Sequence, residues 1–318
     1  MIRVGVIGLG EIGQHHARIY SQLDCELVGV ADIDIENGRK ISNKYRCRYY
    51  RDYRDLLMEV DAVSIAVPTS LHHEIATPFL QSGIHCMVEK PIAATVEEGK
   101  ALIEAAEFGG AKLAVGHIER FNPAVQKLKS IIDQGTLGQL MIMTIRRVGP
   151  FVDRIRDVGV IIDSASHDVD VARYLMGREP VAAFCRSGRY KHPTQEDHAV
   201  IVLDFGDTTA CIEANWFTPQ KVRALVVTGS EGTAYLNYLT QALTLHTAVE
   251  KTIVSVERAE PLKQELIHFI KCVKNGETPM VNGYEGLRTL DICTAAAKKK
   301  SNILEDAISI AESVGLSN

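Results

Sequence analysis

Along the first 120 residues, short apolar runs of strand length alternate with segments of helical period. "IRVGVIG", "CELVGVAD", "DAVSIAVP", "IHCMVEK" and "AKLAVGH" are nearly continuous in apolar residues. Between most of them the pattern predicts helices over 11–23, 34–44, 70–82 and 95–109. Apolar strands separated by helices predict a parallel sheet covered on both faces.

After "RFNPAV" the rhythm changes. A helix over about 123–134 leads into the long strand "QLMIMTIRRVG", and a helix over 161–176 follows. Strands then run without helices between them, over 180–188, 197–205, 208–216, 221–229, 233–238, 241–247 and 251–257. Turn chemistry at Gly206-Asp207 predicts a hairpin. Consecutive strands of this kind predict a mostly antiparallel sheet in an α+β domain, and helices over 262–275 and 284–300 close the chain. The expected division is an α/β domain over 1–120 and an α+β domain over 121–318.

Composition adds exclusions. The chain has 318 residues, 46% apolar and 24% charged, enough for two cored domains. A net charge of −5 offers no basic footprint for nucleic acid. Seven scattered cysteines without a C-x-x-C pair read as reduced thiols. No signal peptide precedes the first strand, and no apolar stretch reaches the roughly 18 residues that span a bilayer. A soluble cytoplasmic protein without a membrane partner is expected.

The first strand runs into Gly8-Leu9-Gly10-Glu11-Ile12-Gly13, which opens a helix, and Asp32 ends the second strand 19 residues after Gly13. Gly8 permits a tight turn, Gly10 lets backbone approach a pyrophosphate, and Gly13 allows close helix–strand packing. The helix N-terminus then carries the anion. Strand, helix and distal acid in this order predict a dinucleotide site. The Asp32 carboxylate suits the ribose hydroxyls of NAD and repels a 2′-phosphate, and Asp34 adds to that field. Arg39 and Lys40 leave NADP as a minor alternative.

The fifth apolar run stops on Glu89-Lys90-Pro91. Ligands of doubly wound sheets bind at the carboxyl ends of strands, so Lys90 is expected at the reacting carbon rather than as a strand-capping ion pair. Pro91 makes a cis Lys-Pro bond plausible. Farther on, "DVGVIIDSASHDVDVARYLMG" sets Asp163 and His167 four apart on a predicted helix, both on one face. Histidine suits removal of an alcohol proton, although a helix cap with a buried polar histidine explains the pair equally well. A zinc site with Asp163 or Asp170 lacks further ligands, so no metal is expected.

With "GLGEIG", Asp32, "AVPTSLHHE", "EKPIA", "VGHIERFNPAV" and "GVIIDSASHDVD" in order, the chain resembles the NAD(P)-dependent oxidoreductases typified by glucose–fructose oxidoreductase and inositol dehydrogenase. The resemblance spans essentially the whole chain. It implies a Rossmann domain followed by a domain with a large open sheet that mediates dimers or tetramers, the C-terminal helices packing back toward the first domain. It implies Lys90 as the catalytic lysine and Asp163 and His167 beside the sugar. Pro68, Thr69 and His72 would line the dinucleotide, and Glu89 would lie near the nicotinamide ribose.

Within that family, "GHIERFNPAV" and "RRVGPFVDRIRDVGVIID" look most like the UDP-N-acetylglucosamine 3-dehydrogenases. Arg120, Asn122, Arg147, Arg154 and Arg156 are the candidate substrate contacts, with Arg146 beside them. Such arginines hold a diphosphate through charge-assisted pairs, or pair with Asp153 and Asp157 instead. The departures from the family motif are Ser164 and Ser166 beside the histidine. Rival readings are a polyol dehydrogenase, a reductase of a non-sugar substrate, and a non-catalytic dinucleotide sensor that would tend to lose the lysine or histidine.

Overall fold

The computed structural model of the chain describes residues 1–151 and 158–298. The first lobe alternates β1 (Arg3–Ile7), α1 (Glu11–Tyr20), β2 (Glu26–Ala31), α2 (Ile35–Tyr45), β3 (Arg48–Tyr50), β4 (Ala62–Ile65), α3 (His72–Gln81), β5 (His85–Val88), α4 (Val96–Gly109) and β6 (Leu113–Val115). Its six strands lie in the order β3-β2-β1-β4-β5-β6, every pair parallel. This is the doubly wound order whose switch point falls beside β1. Local chemistry sets the helix starts: Asp34 caps α2 through the Asn37 N–H, and Thr95 with Glu98 forms a capping box on α4. The β3 strand went unpredicted, because three residues at a sheet edge carry no readable period.

The second lobe begins with α5 (Pro123–Asp133) and β7 (Leu140–Val148). A π-turn over Ile161–Ala165 runs into α6 (Ser166–Met176). There follow β8 (Ala182–Gly188), β9 (His198–Asp204), β10 (Thr209–Asn215), β11 (Val222–Gly229), β12 (Thr233–Asn237), β13 (Ala242–His246) and β14 (Lys251–Val254). The eight strands order as β14-β13-β12-β11-β7-β10-β9-β8, antiparallel except for β7 against β10. The expected hairpin joins β9 to β10, with Gly206 at φ +91° and Phe205 N–H on Thr208 O. One face of this sheet packs Met143, Ile145, Ile201, Ile212 and Leu225 against Val169, Ala172 and Leu175 of α6.

Helices α7 (Pro261–Asn275) and α8 (Gly283–Lys298) return to the first lobe. Leu266, Phe269 and Ile270 of α7 share an apolar cluster with Val4, Ala17 and Tyr20. Just before α8, the Val281 carbonyl accepts the Val115 N–H at 2.9 Å. The segment before α8 is thus tied to the carboxyl end of β6 at the edge of the first sheet.

Candidate active site

The glycine loop has the geometry a dinucleotide requires. Gly8 sits at φ +84°, and a Cβ there would meet Ala66 O at 2.6 Å. A Cβ on Gly13 would lie 1.8 Å from Gly8 O, so helix and strand approach as glycine alone allows. At Gly10 no atom lies within 4 Å of a built Cβ, and no side chain caps α1. The first turn of a helix presents N–H groups to an anion, and α1 begins directly after Gly10. Asp32 holds the loop, accepting Leu9 N–H at 2.6 Å and Asp34 N–H at 2.8 Å. Asp32 and Pro68 line the recess beside Gly10, and so does Arg51, a cation the sequence reading passed over. Arg39 and Lys40 are exposed on α2.

The neighbouring cleft is lined by Ile12, Pro68, Thr69, Glu89, Lys90 and Asp163. The Lys90-Pro91 bond is cis. Lys90 Nζ donates to the Asp163 carbonyl oxygen at 2.6 Å and lies 3.3 Å from its Oδ1. The Asp163 carboxylate accepts from Ser164 Oγ at 3.0 Å, and Trp216 Nε1–H donates to that same Oγ at 3.1 Å. Ser164 therefore ties the acid to a buried indole.

His167 does not simply share a helical face with Asp163. Asp163 sits inside a π-turn, such turns being frequent at functional sites, and His167 lies just beyond it in the first turn of α6. Its Nδ1 is buried and has no hydrogen-bond partner among the described residues. Burial first, then the Lys90 and Arg147 charges, holds the imidazole neutral with its pKa well below the usual value. His117, two residues past β6, lies outside the set of residues the sequence nominates. It is buried with both ring nitrogens unpartnered among the described residues, and burial lowers its pKa to about 4.

Several expectations need correction. His72 does not face the cleft: it is 1% exposed, and its ring nitrogens lie 2.9 Å from Pro91 O and 3.0 Å from Val67 O. It staples the two loops that wall the site. Arg120 pairs with Asp170 and Glu285 inside the second lobe. Asn122 caps α5 through Ala124 N–H and donates to Tyr238 O. Arg147 is spent on Asp168 and Glu119. These buried pairs would be costly to break for a ligand. Arg146 points to the opposite face of β7, toward Glu213, as strand alternation demands. Arg154 and Arg156 lie outside the described residues.

Arg223 differs from these arginines. Arg223, at the start of β11, donates to the Val148 and Val222 carbonyls and has no carboxylate partner among the described residues. Burial, then the Arg147 charge, lowers its pKa to about 10. It pairs in register with Arg147 of β7, whose guanidinium meets Asp168, the residue after His167. A strand-start arginine in "KVRALVV" carries no sequence signal, which explains the omission. Among the described residues no group of three or more His, Cys, Asp or Glu side chains could hold a metal. No helix among them is long and apolar enough to cross a membrane.

Comparison with known proteins identifies the family. Residues 2–117 match the family described as "Oxidoreductase family, NAD-binding Rossmann fold". Residues 125–235 match the "GFO/IDH/MocA C-terminal domain". UDP-N-acetylglucosamine 3-dehydrogenase of Acidithiobacillus ferrooxidans is 31% identical over 300 residues, 91% of this chain and 94% of that one. A solved structure of that dehydrogenase superposes with a TM-score of 0.86 at 30% identity, covering 93% of this chain and 96% of its own. Myo-inositol 2-dehydrogenase of Thermotoga maritima is 29% identical, with 96% of this chain and all of the relative covered. The chain belongs to the GFO/IDH/MocA family of NAD-binding sugar and polyol oxidoreductases.

Proposed function

We propose that the protein is an NAD-dependent dehydrogenase that oxidises a secondary hydroxyl of a nucleotide sugar, C3 of UDP-N-acetylglucosamine. The observation that carries the chemistry is the Lys90 ammonium on Asp163 at the glycine-loop cleft, with the neutral His167 imidazole four residues along the chain from that acid. NAD bound on that loop supplies the hydride acceptor. His167 takes the hydroxyl proton, and Lys90 stabilises the alkoxide oxygen as its charge develops. Asp163 keeps the ammonium in place, held in turn by Ser164. Arg223, with no carboxylate of its own, supports an anionic substrate such as a nucleotide diphosphate.

A polyol reading is favoured by the inositol dehydrogenases among the relatives. The deciding experiment follows NADH formation with UDP-N-acetylglucosamine, UDP-glucose, UDP-N-acetylgalactosamine, myo-inositol and glucose. Turnover confined to a UDP-sugar supports the nucleotide-sugar reading, and turnover of inositol alone overturns it. Tight NADH binding without turnover of any of them would favour a sensor, or an enzyme needing an added oxidant.

Assembly as a homodimer or homotetramer through the outer face of the larger sheet belongs to the same proposal. Phe184, Val200 and Tyr235 stand on that face 46%, 44% and 43% exposed, an apolar set that a partner sheet would cover.

A further inference from the structure

His16 takes no part in the chemistry described so far, yet it is completely buried beneath the cleft. It lies on α1, three residues past Gly13, with its Nε2 3.1 Å from Glu89 Oε1. Its Nδ1 lies 2.9 Å from Oγ of Ser64 on β4, and that oxygen is 2.8 Å from the hydroxyl of Tyr20 at the end of α1. The second oxygen of Glu89, Oε2, is 3.3 Å from the main-chain N–H of Lys90. Gly116 leaves the room this carboxylate needs, because a Cβ there would stand 3.0 Å from Glu89 Oε2.

One arrangement of protons satisfies the whole chain. An ionised Glu89 offers lone pairs alone, so His16 Nε2 carries a hydrogen and donates it. Nδ1 then accepts from the Ser64 hydroxyl, and the Ser64 oxygen accepts from Tyr20. Reversal would require Tyr20 to donate elsewhere, and its hydroxyl has no other partner among the described residues. Burial works against the Glu89 charge, but the His16 hydrogen bond offsets it and holds the carboxyl below its usual range. Burial raises the Tyr20 phenol well above its usual value, so it remains a donor.

We propose that His16 is a positioning residue: it fixes the Glu89 carboxylate, and through it the Glu89–Lys90 peptide, to the helix that carries the dinucleotide phosphates. The placement of cofactor and the placement of the lysine ammonium are then set by one hydrogen-bonded chain, Tyr20–Ser64–His16–Glu89. The inference rests on the reading of Lys90 as the group beside the reacting oxygen. Removing the His16 donor would leave that Glu89 oxygen without its hydrogen bond and let the strand end shift, and misplacement of that kind costs up to about a hundredfold in rate.

The test uses His16→Gln, His16→Asn, Glu89→Ala and the His16→Asn/Glu89→Ala double variant of the full chain. Glutamine places an N–H near the position of Nε2 and keeps the bond to Glu89. Asparagine keeps an acceptor for Ser64 and does not reach Glu89. His16→Gln is expected to hold kcat within about threefold of wild type, and His16→Asn to lose about tenfold to a hundredfold. NADH affinity, read by fluorescence with no sugar present, is expected to weaken about fivefold in His16→Asn, the loss of one hydrogen bond. In the Glu89→Ala background His16→Asn should change neither quantity further, a non-additivity that a purely structural histidine would not produce.

Equal losses in His16→Gln and His16→Asn, or losses that add to those of Glu89→Ala, would overturn the proposal. Melting temperatures are read alongside. If His16→Asn fails to fold, Ser64→Ala replaces it: that variant keeps the contact to Glu89 and is expected to cost less than Glu89→Ala, and an equal or larger cost overturns the proposal. Because NADH affinity needs no sugar, failure of every sugar to turn over would sink the substrate reading and leave this cycle readable.

Discussion

Lys90 Nζ, at the end of β5, lies 2.6 Å from the main-chain carbonyl oxygen of Asp163 in the second lobe and 3.3 Å from its carboxylate. A carbonyl cannot titrate or rotate away, so the ammonium is placed by backbone and tuned by the acid. Asp163→Asn should therefore keep the lysine in position and lower kcat modestly, by about tenfold. Lys90→Ala should lower it by about 10²–10⁴-fold, the range of a lost acid–base group. NADH formation measures both, and NADH affinity should survive each. Equal losses in the two variants would show that the carboxylate, not the carbonyl, holds the lysine.

The neutral state of His167 has a consequence for pH. Its folded pKa lies well below the usual value because burial, and then the Lys90 charge, disfavours the imidazolium. The basic form therefore persists as pH falls through about 6.5, where an ordinary histidine would protonate. The kcat/KM profile should show no acid limb there, and His167→Asn should lower kcat by about a hundredfold at every pH between about 6 and 8. An acid limb near pH 6.5 in wild type that vanishes in His167→Asn would contradict the burial argument.

The cofactor half was legible because each of its parts has a local cause: strand, glycine turn and distal acid are all written within the first 32 residues. Lys90, Asp163 and His167 could be nominated because a charged strand end and a polar turn of helix interrupt apolar runs. What could not be read was partnership. Arg120 and Arg147 look like substrate contacts until Asp170 and Asp168 are seen against them, and those acids lie 50 and 21 residues away. His72 sits in the expected motif, but its ring turns inward to two carbonyls. Arg223, freed by the absence of such a partner, is recognisable in three dimensions alone.

That freedom gives Arg223 a specific signature. If its guanidinium meets a phosphate, Arg223→Met should raise KM for a UDP-sugar by about 10–100-fold, the worth of a charge-assisted pair of about 1.5–3 kcal/mol. Turnover of a neutral polyol, if the enzyme accepts one, should be unchanged. A parallel loss on both substrates would assign Arg223 to the architecture of the site rather than to anion recognition.

The outer face of the larger sheet makes a separate prediction. Phe184, Val200 and Tyr235 are exposed there beside the surface pair Arg146–Glu213. Val200→Glu places a charge amid this patch, where an assembled interface would bury it. Light scattering after gel filtration should report a dimer or tetramer for wild type and a smaller species for the variant. A monomeric wild type would dismiss the sheet as an assembly surface.

Glu265 supplies the last prediction, because it is a buried acid with no compensation in view. It is 0% exposed on α7, and neither carboxyl oxygen has a hydrogen-bond partner among the described residues. Burial first, then the Glu89 and Asp170 charges, raises its pKa well above the usual value. A folded pKa above the unfolded one means that its contribution to stability is intact below about pH 4.3, the unfolded value. That contribution is lost as pH rises through the folded pKa, at about 1.4 kcal/mol per pH unit within the window. Glu265→Gln removes the titration while keeping the shape, so its melting temperature should fall less steeply from about pH 5 to 8 than that of wild type. The variant should match or trail wild type near pH 5, where both side chains are neutral, and exceed it near pH 8. Parallel slopes would mean that Glu265 is ionised in the native protein, and that water or motion supplies the donors its surroundings lack.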